Sequence, residues 1–297
     1  MGRRPDGYHE LRSVMQTVSL HDLVTVEPGG GGLRVRCEGW ETPQGEANIC
    51  HRAAFAVLEL LDAPDAGVAV DIEKRIPPCS GLGGGSADAA AVILGLPRAL
   101  GRQITDLEAL DVAEAVGADV PFFLTGGTAV VTGIGERLAP SPRQCELHFA
   151  LARPDAGIET SWAYGLYDDW RAAAPSTMGR GAAAAVQKAL EAGDVAAVAE
   201  ALANAFWQPL SKARPELAEL KRAIEATGAL GVGLTGSGSC LFGIYDTEDG
   251  ANRAAADLSE RGYWATSAAA VDRGVAIVSE GGDQPLRLGS RSLREGP

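Results

Sequence analysis

Four glycines within five positions stand directly before an alanine-rich segment, and this cluster constrains the chain more than any other sequence feature. Gly81, Gly83, Gly84 and Gly85 follow two prolines, and a helical segment begins near Ser86. Glycines let backbone N–H groups approach a ligand closely, and the first turn of a helix adds N–H groups that lack intrahelical acceptors. The pattern therefore predicts an anion site suited to a phosphate chain. The alternative interpretation is a glycine-rich surface turn.

The cluster differs from the two common nucleotide fingerprints. The pattern G-x-x-x-x-G-K-[ST] is absent, and no lysine follows the glycines. Ser86 stands where the dinucleotide fingerprint has its third glycine, and no acidic residue is convincingly placed about 20 residues further on. The Ser86 hydroxyl can instead cap the helix, contact a phosphate or reach a metal ion. Pro97 is expected to bend or end the helix.

Net charge argues against a nucleic-acid partner. The formal charge of the 297-residue chain is −13, which repels a phosphate backbone. A few arginines gather only in the last residues, 285–297, and we interpret that segment as a frayed terminus. Anionic small molecules remain compatible with the charge because backbone dipoles act locally.

The cysteines and the hydropathy pattern favour a cytoplasmic protein. The five cysteines are scattered, odd in number and without a C-x-x-C pair, which argues against a disulfide framework or a structural zinc site. No apolar run reaches the roughly 18 residues of a membrane span. The first residues lack the apolar stretch of a signal peptide. We therefore expect no membrane partner.

Alternating and helical patterns predict an α+β protein of two domains. Val68, Val70 and Ile72 alternate with Ala69, Asp71 and Glu73, as in a half-buried strand. Thr105 and Glu108 have the spacing of a helix capping box. The segment 137–146 has no clear period, so the predicted domains are 1–145 and 146–282, followed by a disordered tail over 283–297.

Three segments resemble motifs of the GHMP kinases. They are PCSGLGGGSADAA at 78–90, GADVPFFLTGG at 117–127 and LTGSGSC at 234–240. In addition, GRRPDGYHELRSVMQTVSLHD at 2–22 is similar to the N-terminal signature of one branch of that superfamily. The glycine segment alone is typical of the whole superfamily, whereas DGYH together with GADVPFF is specific to the branch. The resemblance extends from residue 2 to about residue 280.

The resemblance implies a fold and a reaction. The fold is a ribosomal protein S5 domain 2-like N-terminal domain followed by a ferredoxin-like C-terminal domain. The reaction uses ATP and Mg²⁺, and the branch phosphorylates the 2-hydroxyl of a cytidine diphosphate derivative of methylerythritol in the non-mevalonate (MEP) isoprenoid route. Two alternatives stay open: a GHMP kinase for another alcohol such as mevalonate or homoserine, and a nucleotide-binding module without catalysis.

The resemblance also implies roles for residues around the phosphates. Asp119 matches the catalytic aspartate that accepts the proton of the substrate hydroxyl; alone, it reads equally well as a turn residue after a helix. Asn48 and Lys74 match positions lining the nucleotide pocket, although Lys74 could be a solvated charge on an edge strand. Ser86 is the candidate Mg²⁺ ligand. The residues matching the triphosphate loop are Pro77, Pro78, Cys79, Ser80, Gly81, Leu82, Gly83, Gly84, Gly85, Ser86 and Ala87.

Further positions match contacts to the acceptor substrate. Tyr8 and His9 match the pair that holds the cytosine, for which an aromatic face and an imidazole supply stacking and directional hydrogen bonds. Thr160 and Tyr164 align with further substrate contacts, with core packing as the alternative for Tyr164. The remaining candidates, from the LTGSGSC segment, are Gly236, Ser237 and Gly238.

One departure from the family pattern concerns the N-terminus. Family members carry a strand A-P-A-K-[IVL]-N-L-x-L before DGYH, and its lysine pairs with the catalytic aspartate. The printed chain starts at Met1 and has no such strand. We therefore expect this polypeptide to be impaired and a form extended upstream to be active.

Overall fold

A computed structural model describes residues 4, 7–143, 145–173, 181–279 and 286–288 of the chain. The chain divides into two compact units. Unit 1 comprises Met1–Pro78, Gly83–Ala139 and Val271–Pro297, and unit 2 comprises Cys79–Leu82 and Pro140–Ala270.

The strands of the described ranges are β1 (Leu11–Gln16), β2 (Leu23–Pro28), β3 (Leu33–Glu38), β4 (Val68–Glu73), β5 (Thr128–Gly133), β6 (Arg137–Pro140), β7 (His148–Arg153), β8 (Gly231–Leu234), β9 (Leu241–Tyr245), β10 (Trp264–Ala269), β11 (Ile277–Ser279) and β12 (Leu286–Leu288). The α-helices are α1 (Ile49–Leu60), α2 (Gly84–Ala99), α3 (Asp106–Val116), α4 (Val120–Thr125), α5 (Thr160–Ala173), α6 (Ala182–Ala192), α7 (Val195–Glu200), α8 (Trp207–Ala213), α9 (Pro215–Ala226) and α10 (Glu248–Glu260).

Unit 1 is built on a five-stranded sheet in the order β11-β12-β2-β4-β3. Strand β4 runs antiparallel to β2 and parallel to β3. Val24 lies opposite Ile72 and Val26 opposite Val70, and all four side chains are buried. This arrangement confirms the half-buried strand predicted from the alternation in β4. A second sheet of unit 1 has the order β1-β5-β6.

Helices α1, α2 and α3 share one hydrophobic core with this sheet. Ala89 and Ala90 of α2 are completely buried, since small side chains allow close packing against α1 and β2. Helix α2 starts two residues before Ser86 and ends at Ala99, so Pro97 lies in its last turn. The predicted capping box is confirmed, because the Thr105 N–H donates to Glu108 Oε2 and the Glu108 N–H to Thr105 Oγ1.

Unit 2 contains an antiparallel sheet in the order β10-β7-β9-β8. Its hydrophobic core includes Leu217, Leu220 and Ile224 of α9, the stripe that the helical spacing places on one face. Leu241 of β9 and Leu258 of α10 complete the same core. The α+β class predicted from the sequence is thereby confirmed for the molecule.

The structure differs from the predicted partition at three places. The main boundary lies at Ala139–Pro140, inside the segment 137–146 but before residue 145. The residues from Val271 onward belong to unit 1, whereas the prediction gave the second domain everything up to 282. Of the segment 283–297, which the sequence predicts to be a disordered tail, the structure describes β12, which pairs with β2; the other residues of that segment lie outside the described ranges. Such long-range strand pairing leaves no local sequence pattern.

Within the described ranges, the structure shows no helix with the length and apolar character to span a bilayer.

Candidate active site

The second half of the glycine loop forms the start of α2. Gly83 is the N-cap residue and has a φ of +71°, in the left-handed region that favours glycine. A Cβ atom at position 83 would lie 2.6 Å from Cζ of Phe123, so only glycine fits there. The Ala87 N–H donates to the Gly83 carbonyl over 2.9 Å. The earlier N–H groups of this first turn, from Gly84 to Ser86, have no intrahelical acceptor and therefore suit an anion.

The first half of the loop, Cys79–Leu82, belongs to unit 2 and is held by the LTGSGSC segment. The Ser80 carbonyl accepts hydrogen bonds from the Cys240 N–H at 3.0 Å and from Thr235 Oγ1 at 2.8 Å. Gly81 has a φ of +74°, and a Cβ atom there would lie 2.3 Å from the Thr235 carbonyl oxygen. The structure thus brings together two motifs that lie about 155 positions apart in the sequence.

The predicted substrate contacts of unit 2 form one group. Thr160 Oγ1 at the start of α5 lies 3.1 Å from Ser237 Oγ. A Cβ atom at Gly236 would lie 3.2 Å from the Gly81 carbonyl oxygen, so this group adjoins the first half of the loop. Tyr164 packs edge-on against Phe206, with ring centroids 4.8 Å apart, as its core-packing interpretation required. A substrate contact from Tyr164 stays a prediction.

Asp119 lies between α3 and α4, at the N-cap of α4, and its carboxylate does not cap that helix. A Cβ atom at Gly135, in the β5–β6 turn, would lie 3.3 Å from Asp119 Oδ1. Solvent reaches the residue, yet the surrounding protein partly desolvates it, and this burial raises the pKa of the Asp119 carboxyl above its usual value. A carboxylate with a raised pKa is a better proton acceptor than an ordinary one.

Two packing contacts hold the Asp119 segment against the start of α2. Phe123 of α4 lies against Gly83, as described above. The Ile49 side chain lies between Gly85 of α2 and Gly117, which follows α3. Cβ atoms at Gly85 and Gly117 would lie 3.5 Å and 3.4 Å from its methyl carbons. The predicted proton acceptor and the second half of the predicted phosphate loop, from Gly83 onward, therefore belong to one packed assembly within unit 1.

Lys74 is buried, and the structure excludes the solvated-charge interpretation. It follows β4, an inner strand rather than an edge strand. Its Nζ lies 2.7 Å from Asp88 Oδ2 and also pairs with Asp22 Oδ2. Burial alone lowers the pKa of the Lys74 ammonium, but the charges of Asp88 and Asp22 outweigh burial and raise it. A direct contact with a nucleotide stays a prediction.

Asn48 is the N-cap residue of α1. Its Oδ1 accepts the Cys50 N–H over 2.9 Å, and its Nδ2 donates to the Pro43 carbonyl over 3.0 Å. These bonds give the side chain a structural role. A role in lining the nucleotide pocket stays a prediction.

Sequence reasoning missed Asp22 and Asp88. Asp88 is the one acidic residue among the buried alanines of α2, and burial raises its pKa to about 7, with Lys74 opposing and Asp22 reinforcing the shift. A charged residue on an otherwise apolar helix face needs a partner, and this signal could have identified Asp88 but not the residues that pair with it.

Tyr8 precedes β1 in unit 1 and exposes 60% of its surface. Its carbonyl accepts the Arg4 N–H over 2.7 Å, which fixes the backbone of this segment. The exposed ring offers the flat face that stacking on a base requires. His9 is half-buried beside it. Contacts of both residues with the cytosine stay predictions.

No set of three or more His, Cys, Asp or Glu side chains suited to a metal ion occurs among the described residues. A cavity of about 210 Å³ in unit 2 is bounded by apolar residues such as Trp207 and Phe242 together with Lys221, and none of the predicted site residues lines it.

Comparison with known proteins gives the same family for both halves of the chain. The GHMP kinases N terminal domain family matches residues 48–127, and the GHMP kinases C terminal family matches residues 186–263. The chain is thus an ATP-dependent small-molecule kinase of the GHMP superfamily, with the fold of that superfamily.

More similar relatives narrow this class. A 4-diphosphocytidyl-2-C-methyl-D-erythritol kinase from Symbiobacterium thermophilum is 40% identical over 85% of this chain and 88% of its own length. One from Desulfitobacterium hafniense is 39% identical over 89% of each chain. A crystal structure of 4-(cytidine 5'-diphospho)-2C-methyl-D-erythritol kinase superposes with a TM-score of 0.70 at 36% identity, covering 90% of this chain and 92% of that one. The chain belongs to the family of 4-diphosphocytidyl-2-C-methyl-D-erythritol kinases.

Proposed function

We propose that this chain transfers the γ-phosphoryl group of ATP to the 2-hydroxyl of 4-diphosphocytidyl-2-C-methyl-D-erythritol, in the non-mevalonate route to isoprenoid precursors. The observation that carries the proposal is the packing of α4 on the start of α2: Asp119 is the N-cap residue of the helix whose Phe123 ring lies against Gly83. A proton acceptor and an anion site held by one set of contacts are the minimum that phosphoryl transfer requires.

The glycine loop supplies binding and charge stabilisation. The N–H groups from Gly84 to Ser86 and the positive end of α2 would receive the phosphate oxygens. The open backbone around Gly85, where the nearest atom to a Cβ lies at 3.5 Å, leaves room for such an approach. These groups offset the repulsion that a chain of net charge −13 exerts on an anion.

Asp119 would act as the general base. As the substrate hydroxyl oxygen bonds to the γ-phosphorus, its proton passes to an Asp119 carboxylate oxygen, the bond from the γ-phosphorus to the bridging oxygen breaks, and ADP leaves. The raised pKa of Asp119 supports proton transfer while leaving the group ionised above that pKa.

Mg²⁺ would bind this site through few protein oxygens, with the nucleotide phosphates as its other ligands. The described residues offer no three-carboxylate cage, and Mg²⁺ in kinases is held by one or two protein oxygens together with substrate phosphates. Ser86 is half-buried in the first turn of α2, and its hydroxyl would supply such an oxygen. When bound, the ion neutralises charge on the β- and γ-phosphates.

The proposed contacts to the alcohol substrate follow from the functional groups of four predicted residues. The exposed Tyr8 ring and His9 would recognise the cytosine, while Thr160 and Ser237 offer hydroxyls 3.1 Å apart to polar groups of the substrate. The five cysteines are free, which supports a reducing compartment such as the cytoplasm as the site of action.

An acceptor panel tests the proposal. ADP release is measured with 4-diphosphocytidyl-2-C-methyl-D-erythritol, mevalonate and homoserine, and the phosphorylated carbon is located by ³¹P and ¹³C NMR. We expect kcat/KM for the cytidine compound to exceed the other two by about 10²-fold or more, because a site built to hydrogen-bond a group rejects acceptors that lack it. A preference for mevalonate or homoserine would reassign the substrate, and ATP binding without turnover of any acceptor, in this chain and in a form extended upstream, would indicate a nucleotide-binding module.

A further inference from the structure

Three charged side chains are buried together next to the glycine loop, and the chemistry proposed above needs none of them at the reacting atoms. Asp22, Lys74 and Asp88 have side chains that are only 2%, 4% and 4% exposed. Burying three charges is costly unless each is paired and hydrogen-bonded. A buried and paired group of charges at this position can hold separate parts of the backbone together.

The hydrogen bonds of the cluster converge from three parts of unit 1. Lys74, just after β4, donates to Asp88 Oδ2 over 2.7 Å and pairs with Asp22 Oδ2. The other oxygen of Asp22 accepts the N–H groups of Arg75 at 2.5 Å and Ile76 at 2.8 Å. One carboxylate therefore fixes the backbone that leaves the strand, and the ammonium reaches from there to the helix.

These contacts join the two ends of the phosphate loop. The chain enters the loop through Lys74–Ile76 and leaves it through Gly84, one helical turn before Asp88. A Cβ atom at Gly84 would lie 3.2 Å from Lys74 Nζ and 2.7 Å from Ile76 Cγ2, so entry and exit are in direct contact. The ion pairs thus set the separation of the loop ends independently of any ligand.

We propose that Asp22, Lys74 and Asp88 are positioning residues that hold the phosphate loop in its binding shape before the nucleotide arrives. The inference rests on the proposed function of that loop. A loop whose ends are already fixed loses less conformational freedom when it binds, and this raises its affinity without adding a contact. The cluster therefore acts on ATP through the backbone of Gly83–Ser86.

A direct contact between Lys74 and the nucleotide makes the opposite prediction for Asp88. If the ammonium touched the nucleotide, removing the Asp88 carboxylate would free the ammonium and delete a nearby negative charge, and ATP would bind at least as tightly. If the cluster positions the loop, the same change loosens the end of the loop at α2, and ATP binds more weakly.

The test compares Asp88→Ala with Asp88→Asn by isothermal titration with ATP and by steady-state kinetics. Asp88→Ala leaves the Lys74–Asp22 pair intact, so the buried ammonium keeps a carboxylate partner. Alanine is also a good helix former, so the variant should fold. We expect its Kd and KM for ATP to rise by about tenfold or more, the scale of a small misplacement, while KM for the alcohol acceptor stays within about twofold. Asp88→Asn, which keeps an oxygen to accept from Lys74, is expected to stay within about threefold of wild type.

Arg75→Met is the matched control. Arg75 is adjacent to Lys74, but its side chain is about half exposed and pairs only loosely with Glu73 at 3.6 Å. Its removal deletes the same positive charge as Lys74→Met without changing a side chain of the cluster, and ATP affinity should stay within about twofold. Unfolding midpoints for each variant report whether the fold is intact. Lys74→Met is a second variant that removes the ion pairs between the two ends of the loop.

Three outcomes decide the matter. Weaker ATP binding in Asp88→Ala with near-normal binding in Asp88→Asn supports the positioning role. ATP binding by Asp88→Ala that equals or exceeds that of the wild type overturns it. A wild-type chain that binds no ATP overturns the proposed function of the loop, and the positioning role with it.

Discussion

The ring of Phe123 occupies the space in which a side chain at Gly83 would begin: a Cβ atom there would lie 2.6 Å from Cζ and 3.0 Å from Cε2 of the ring. This contact links the N-cap of α2 to the helix that Asp119 begins. A side chain at position 83 would displace this ring, so the contact couples the start of the phosphate-loop helix to the packing of α4.

Gly83→Ala should therefore destabilise the protein and weaken ATP binding. An alanine at a φ of +71° costs about 1–2 kcal/mol in backbone energy, and overpacking against Phe123 adds about 1–3 kcal/mol. Urea denaturation measures the loss in the free energy of unfolding, and isothermal titration with ATP measures the loss of affinity.

Gly85→Ala is the matched control for that substitution. Its nearest neighbour, Ile49, lies at 3.5 Å from the Cβ position, an ordinary contact, and its backbone is helical. Alanine in a helix is favoured over glycine by up to about 1 kcal/mol, so stability should hold or rise. If Gly83→Ala were as stable as Gly85→Ala, the Phe123 contact would not constrain the loop.

Asp119→Asn should abolish most of the turnover without affecting nucleotide binding. The amide keeps the size of the side chain but cannot accept the proton, so we expect kcat to fall by about 10²-fold or more. The Kd for ATP should remain close to that of the wild type, because the proposed phosphate contacts come from α2. Single-turnover kinetics together with titration calorimetry separate the two effects, and equal losses in both would assign Asp119 to binding instead.

The pH profile of kcat should carry the signature of Asp119. The base works only when ionised, so kcat falls as the pH drops through its pKa. Because burial raises that pKa, the acid limb should lie above the ordinary aspartate value of 3.8. An acid limb at or below the ordinary value would show that Asp119 is not the group that accepts the proton.

Stability should fall with rising pH because of Asp88. Its pKa is raised from 3.8 to about 7, so between these values the folded chain holds a proton on Asp88 that the unfolded chain has lost. Raising the pH across this window therefore favours the unfolded state, and the contribution is constant above about 7. Urea denaturation across the window should show a decline in the free energy of unfolding that is absent from Asp88→Asn.

Asp71→Asn serves as the control for that experiment. Asp71 lies on β4 in the same unit, but its side chain is 39% exposed and its pair with Arg34 spans 3.6 Å. This variant should keep the decline seen in the wild type. A wild-type curve that runs parallel to that of Asp88→Asn would show that Asp88 titrates normally.

Local patterns explain which parts of the fold could be predicted. The start of α2, the capping box at Thr105 and the buried stripe on α9 depend on residues within one or two helical turns of each other, and the structure has all three. The phosphate loop could be located for the same reason, since prolines, glycines and a helix start occur consecutively.

Long-range pairing explains what could not be predicted. Strand β12 joins β2 across more than half the sequence, and the residues from Val271 onward return to unit 1. Asp22 meets Lys74 across 52 positions, with no period or motif to connect them. Such contacts follow from the packed fold, and a single sequence gives no sign of the partner.

Tyr8→Ala should change the KM for the cytidine substrate and leave the KM for ATP unchanged. Tyr8 is 60% exposed, so its loss should change stability little. If its ring stacks on the cytosine, KM for the cytidine substrate should rise by the equivalent of about 1–3 kcal/mol, while KM for ATP stays the same. Tyr8→Phe, which keeps the aromatic face, should behave nearly as the wild type. Unchanged kinetics in Tyr8→Ala would remove the ring from the binding site and favour an acceptor without a base.

Alkylation of Cys79 should report on occupancy of the phosphate loop. Cys79 is exposed, whereas Cys50 and Cys240 are buried, and its Sγ lies 3.4 Å from Glu159 Oε1. Partial burial, together with the hydrogen bond and the charge of Glu159, raises the pKa of the Cys79 thiol, so iodoacetamide should react slowly near neutral pH and faster as the pH rises. Mass spectrometry of tryptic peptides measures the rate at each cysteine.

Glu159→Gln and ATP should move that rate in opposite directions. Removing the Glu159 charge lowers the pKa of the neighbouring thiol, so Glu159→Gln should alkylate faster than the wild type at the same pH. ATP seated on Pro77–Ala87 should cover Cys79 and slow the reaction in both proteins, with Cys37 and Cys145 as internal references for general reactivity. If saturating ATP left the Cys79 rate unchanged while calorimetry showed binding, the nucleotide would have to lie away from this half of the loop.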